Sequence, residues 1–138
     1  MSKDLNILII NGPNLNLLGK RKPEIYGNTS LKELESELKN YADVECFQTN
    51  SEGDIIDLIQ KTKSPVVLNP GAYGHYSYAI RDAIEAINFP VIEVHITDIN
   101  NREDFRSKLV LSDVCTRTII GHGIRGYFEA IDILKEKL

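Results

Sequence analysis

Five short apolar runs divide the chain, at residues 5–10, 44–47, 66–68, 91–94 and 118–120, each rich in Val and Ile and followed by Gly, Asn or Pro punctuation. Between them the hydrophobic positions recur with helical periodicity, near 3.6. The first helical stretch opens at Ser30-Leu31-Lys32-Glu33, a capping-box pattern, with Leu31, Leu34 and Leu38 along one face. A second follows Ser51-Glu52-Gly53 and carries Ile55, Leu58 and Ile59; a third carries Ile80, Ala83, Ile84 and Ile87. A short charged segment at 102–106 takes the fourth place, and Tyr127, Ala130, Ile131, Leu134 and Leu138 stripe the last.

Nearly all-apolar strands that alternate with helices predict a parallel sheet covered on both faces. Five such units predict an α/β, flavodoxin-like doubly wound sheet of order 2-1-3-4-5, with residues 1–138 forming one domain. No linker, low-complexity segment or internal repeat interrupts the rhythm. In such sheets ligands bind beyond the carboxyl ends of the strands, near the switch point between strands 1 and 3. The residues there are Asn11-Gly12-Pro13-Asn14, then Gln48-Thr49-Asn50-Ser51, the stretch from Asn69 to His75, His95-Ile96-Thr97, and Gly121-His122-Gly123. All three histidines of the chain fall on this edge.

Composition narrows the function classes. The 138 residues are 42% apolar and 26% charged, ordinary for a soluble globular protein. A net charge of −4 and a pI near 5.4 argue against a nucleic-acid partner or an anionic membrane surface. No apolar stretch approaches the roughly 20 residues of a membrane span, and MSKDLNILII lacks the pattern of a signal peptide. A cytoplasmic protein is expected, with Cys46 and Cys115 as two buried, reduced thiols.

Several familiar chemistries fail on residue type. Gly121-His122-Gly123-Ile124-Arg125-Gly126 matches GxGxxG, but the second strand and acidic residue of a dinucleotide site have no room in the twelve residues that follow. Packing glycines are the expectation. A phosphate cradle after strand 1 wants hydroxyls and free N–H groups, where Asn11-Gly12-Pro13-Asn14 offers a proline and no Ser or Thr. A phospho-accepting receiver would need acids where asparagines stand. The histidines are too scattered for a metal site, and no Gly-x-Ser-x-Gly elbow is present. A site of asparagines, histidines, arginines and tyrosine remains, with no cofactor implied. Glu93 and His95, two apart on one strand, project from the same face, so the carboxylate is placed to orient the imidazole as an acid. The alternative is a structural histidine at a strand end. Arg21 and Tyr26 lie in a basic, Pro-hinged loop that reads either as a lid or as a solvated connection.

The stretches INGPNLNLLGKRKPEIYG, QTNSEG, NPGAYGHYSYAIRDA, PVIEVHITDINNREDFR and GHGIRGY, in this order, resemble type II 3-dehydroquinate dehydratase over nearly the whole chain. The resemblance implies a flavodoxin-like subunit in a homododecamer, a tetramer of trimers. It implies reversible elimination of water from 3-dehydroquinate through an enolate, with neither metal nor cofactor. It matches Tyr26 to a tyrosinate base and Arg21 to the lid arginine that activates it. Asn14 matches the enolate-stabilising asparagine, and His95 the general acid with Glu93 behind it. For substrate binding it matches Asn69 and His75 to ring-hydroxyl contacts, and the backbone of Ile96 and Thr97 to a carboxylate site. Arg106 matches a substrate arginine, and Asp82 a residue lent to a neighbouring subunit. Gly74, Tyr76, Ser51, Asp98 and Arg117 depart from the family pattern. Gly74 and Tyr76 flank His75, which puts the pocket rim in question.

Overall fold

The computed structural model describes residues 6–20 and 22–137. Five parallel strands, β1 (Ile7–Asn11), β2 (Val44–Gln48), β3 (Val66–Asn69), β4 (Val91–His95) and β5 (Arg117–Ile120), form one sheet in the order β2-β1-β3-β4-β5. The expected topology is therefore observed. Alternate residues of the central strands feed two separate cores. Ile7, Ile9, Val67, Ile92 and Val94 join one cluster; Leu8, Ile10, Val66, Leu68 and Val91 join the other. This division by parity is why the strands read as unbroken apolar runs.

The first cluster is closed by α2 (Leu31–Tyr41) and α5 (Arg125–Lys137), the second by α3 (Glu52–Lys61) and α4 (Tyr78–Ala86). The capping box is present: Ser30 Oγ accepts from the Glu33 amide at 3.1 Å, while the Ser30 amide donates to Glu33 Oε1 at 2.8 Å. A cap of this type stabilises its helix by about 1 kcal/mol. Leu34, Leu38, Ile55, Ile59, Ile80, Ala83, Ile84, Tyr127, Ala130, Ile131 and Leu134 are buried as the periodicity predicts. Leu5 and Leu138 lie outside the described residues.

Three features differ from expectation. The charged segment at 102–106 forms no α-helix; the crossover from β4 to β5 runs through short 3₁₀ turns, Ile99–Asn101, Asp104–Ser107 and Ser112–Val114. Its residues lack an apolar stripe, and Asp98 instead ties the first turn by accepting from the Asn100 amide and Asn101 Nδ2. The edge strand β2 is covered on one face only, leaving Glu45 and Phe47 exposed. Within the loop after β1 a short helix, α1 (Pro23–Tyr26), begins with Pro at its first position, where the missing N–H is harmless.

Of the glycines of the GxGxxG match, Gly126 serves packing: a Cβ there would stand 3.1 Å from Val94 Cγ1 and 3.4 Å from Ile119 Cγ2. Gly121 and Gly123 instead adopt positive φ (79° and 63°), and Gly123 has open space around it. Cys46 and Cys115 are free and half-buried, and burial raises both thiols above their ordinary range, Cys46 to about 11. No described helix is long and apolar enough to cross a membrane.

Candidate active site

The carboxyl ends of β1 and β3 meet at the switch point, where Asn11 and Asn69 are register partners. The backbones approach closely there: a Cβ on Gly12 would lie 2.7 Å from the Pro70 carbonyl oxygen. Beside them opens a cavity of about 160 Å³ lined by residues including Asn14, Tyr26, Asn69, His75, His95, Ile96, Thr97, Arg102 and Arg106.

Asn14 reaches this edge from a left-handed backbone (φ 69°, ψ −2°), a conformation asparagine tolerates better than most residues. Its amide donates to Asn50 Oδ1 at 3.1 Å, and Gln48 Nε2 braces the same loop through the Gly12 carbonyl at 3.1 Å. The turn is thus held by side chains from the end of β2.

Glu93 and His95 are both buried, and Glu93 Oε2 lies 2.7 Å from His95 Nε2. A carboxylate accepts only, so Nε2 carries the hydrogen and Nδ1 is the nitrogen available to a ligand. The other carboxylate oxygen accepts from Ser112 Oγ at 2.7 Å and from Thr118 Oγ1 at 3.1 Å. Three partners therefore hold the buried Glu93 side chain in a fixed orientation. Gly74 lies under this pair rather than on the rim. A Cβ there would meet Pro70 Cγ at 2.9 Å and His95 Cε1 at 3.2 Å. Tyr76, in contrast, is exposed and stacks edge-on against Tyr73.

His75 is oriented by backbone. The Lys108 carbonyl, 2.9 Å from Nδ1, must receive a hydrogen, which leaves Nε2 as the acceptor in the neutral ring. Burial pushes the imidazole below its ordinary value, with His95 and Arg106 acting in the same direction and the Lys108 bond opposing. His75 is accordingly neutral at neutral pH. A group whose unfolded form binds the proton more readily loses folded-state stability as pH falls below about 6.5, the ordinary imidazole value. Urea unfolding at pH 7 and 5.5 should show a larger loss of stability in the wild type than in His75→Gln. Equal losses would mean that His75 is not held neutral by the fold.

Tyr26, at the end of α1, accepts a hydrogen bond from Arg102 Nη1 at 2.7 Å, and the Arg102 guanidinium carbon lies 5.2 Å from the ring centroid. Arg106 stands over the Phe105 ring at 4.8 Å and is paired with Glu103 at 2.8 Å.

Comparison with known proteins places the chain as a whole. The model of the family described as dehydroquinase class II matches residues 5–135. The chain belongs to that family. Among curated dehydroquinases, the 3-dehydroquinate dehydratase of Bacillus cereus (strain G9842) is 49% identical over 140 residues, covering 96% of each chain. That of Thermotoga petrophila is 46% identical, with 97% of each chain covered. Among solved structures, the type II dehydroquinase of Butyrivibrio crossotus DSM 2876 superposes with a TM-score of 0.94 at 46% identity, covering 97% of this chain and 99% of its own. The type II dehydroquinase of Propionibacterium acnes gives 0.91 at 42% identity, covering 96% and 98%.

Of the dehydroquinase residues expected from sequence, Asn14, Tyr26, Asn69, His75, His95, Ile96, Thr97 and Arg106 line one cavity, with Glu93 directly behind His95. Arg21 lies outside the described residues. Asp82 is exposed on α4 and does not line the cavity. His122 is on the same sheet edge but pairs with Glu129 at 2.7 Å instead of facing the cavity. Arg102, Ser112 and Thr118 were not singled out from sequence. Arg102 had only its place in a charged segment to recommend it, and the two hydroxyls reach Glu93 from 19 and 25 residues away.

Proposed function

We propose that the chain catalyses the reversible dehydration of 3-dehydroquinate to 3-dehydroshikimate through an enolate. The observation that carries this reading is a matched pair of supports around one cavity: a cation donating to Tyr26 Oη and an anion accepting from His95 Nε2. A β-hydroxy ketone needs both. Its proton, on the carbon between the carbonyl and the hydroxyl-bearing carbon, must be removed by a base, and its hydroxyl must leave as water.

In this reading the Tyr26 phenolate takes that proton. The bond from Arg102 strengthens as the phenol loses its own hydrogen, because a charge-assisted bond to the anion is the stronger one. Arg21 adds its charge from the same loop. The enolate oxygen is received by Asn14 as a neutral hydrogen-bond donor, directly or through water. The electrons then expel the hydroxyl, which takes the Nδ1 proton of the His95 imidazolium and departs as water. Tyr26 ends protonated and His95 neutral, and one proton transfer through solvent restores both. Arg106 and the amides of Ile96 and Thr97 take the carboxylate, while Asn69 and the neutral His75 take the ring hydroxyls. Asp82 completes the site of a neighbouring subunit in a dodecamer; active enzyme sedimenting as a monomer would remove Asp82 from the account.

The test is incubation with 3-dehydroquinate while the conjugated enone of the product is followed in the ultraviolet. The enone band should rise with and without a chelator. No strand-end lysine stands ready to form a Schiff base, so borohydride added with substrate should leave activity intact. Absence of the enone contradicts the assignment, and substrate-dependent inactivation by borohydride contradicts the enolate route.

A further inference from the structure

Tyr127 lies in the apolar stripe of α5 and is wholly buried in the cluster that α2 and α5 close. Phenylalanine would fill the same space with no polar atom to satisfy. The hydroxyl is engaged twice: it donates to Asn11 Oδ1 at 2.6 Å and accepts from Asn69 Nδ2 at 2.9 Å. The two asparagines are the register partners of β1 and β3 at the switch point. One hydroxyl on the last helix therefore joins the two strand ends that flank the cavity.

The direction of these bonds is determined. The Gly71 amide donates to Asn69 Oδ1 at 3.1 Å, so Asn69 must turn Nδ2 toward Tyr127. The hydroxyl, already accepting there, gives its single hydrogen to Asn11 Oδ1. Asn11 Nδ2 is then left buried with no partner among the described residues. A buried donor without a partner is costly. Burial keeps the Tyr127 phenol protonated far above neutral pH, so the hydrogen given to Asn11 is always present. Asn69 retains one unclaimed Nδ2 hydrogen, and Asn69 lines the cavity.

We propose that Tyr127, held by Asn11, is a positioning residue that locks the Asn69 amide with a donor, and not an acceptor, toward the bound ring. The proposal rests on reading the cavity as the dehydroquinate site. Its consequence is selectivity for a ring oxygen that accepts at that position, imposed from a helix that never touches substrate.

The experiment is a double-mutant cycle on KM and kcat for 3-dehydroquinate, with Tyr127→Phe, Asn69→Ala and the two combined. Tyr127→Phe should raise KM about 5–10-fold, the scale of one misdirected hydrogen bond, with kcat changed much less. In the Asn69→Ala background it should raise KM no further. Asn11→Ala, which frees the hydroxyl without removing it, should raise KM in the same direction by a smaller factor and serves if Tyr127→Phe fails to fold. An unchanged KM in the single variants, or the same factor with and without Asn69, overturns the proposal. Wild-type turnover in the same assay reports on the dehydratase reading, so a failed cycle with an active wild type counts against Tyr127 alone.

Discussion

Replacing Tyr26 by phenylalanine should reduce kcat by about 10³–10⁴-fold, the upper range for loss of a general base, with fold and assembly unchanged. The substitution removes only the oxygen that takes the proton, and Tyr26 is half-buried at the end of a short helix. Arg102 supplies a graded companion. Its bond to Tyr26 Oη is charge-assisted, a class worth roughly 1.5–3 kcal/mol. Arg102→Ala should therefore lower kcat/KM by about 10–100-fold at neutral pH. Its rate should climb as pH approaches about 10, where a free phenol ionises. Arg102→Lys should recover part of the loss, since lysine keeps the charge but not the planar fork that also lies over the tyrosine ring. A Tyr26→Phe enzyme with substantial activity, or an Arg102→Ala profile parallel to wild type, would mean that the base lies elsewhere.

Removing the acid should be nearly as damaging. His95→Ala should lower kcat by about 10²–10⁴-fold while substrate affinity changes little, because the departing hydroxyl needs its proton only as the bond breaks. Glu93→Gln tests the orientation of the ring separately. A glutamine amide can still satisfy Ser112 and Thr118 through its oxygen, but then turns an N–H toward His95 Nε2, where Glu93 now accepts. The imidazole must adopt the other tautomer, and kcat should fall with KM preserved. Near-normal kcat in both variants would remove the pair from the mechanism.

The sheet order, three crossover helices and the C-terminal helix were legible because each buried strand reads as an apolar run and each of these helices carries a striped face. The Glu93–His95 pair was legible for a related reason: a spacing of two on a strand places both side chains on one face, and the contact follows at 2.7 Å. Legibility ended where the period did. The 3₁₀ turns between β4 and β5 have no stripe, so nothing in the spacing showed that Arg102 reaches Tyr26 across 76 residues of sequence. Tyr127 was read as one member of a core stripe, which its ring is; its hydroxyl finds partners 58 and 116 residues away, beyond any local pattern. For Gly74, its sequence neighbour His75 suggests a place on the rim. Its importance is underneath, where the lack of a side chain gives His95 and Glu93 their room.

Deuterium wash-in during the reaction tests the division of labour between Tyr26 and His95 most directly. In heavy water, 3-dehydroquinate is incubated with each variant, and loss of its exchangeable ring proton and gain of product are followed together by proton NMR. An enolate formed by Tyr26 but unable to expel its hydroxyl should return deuterium to the carbon. His95→Ala should therefore exchange substrate faster than it forms product, while Tyr26→Phe should do neither. Exchange by Tyr26→Phe, with none by His95→Ala, would contradict the assignment of base and acid.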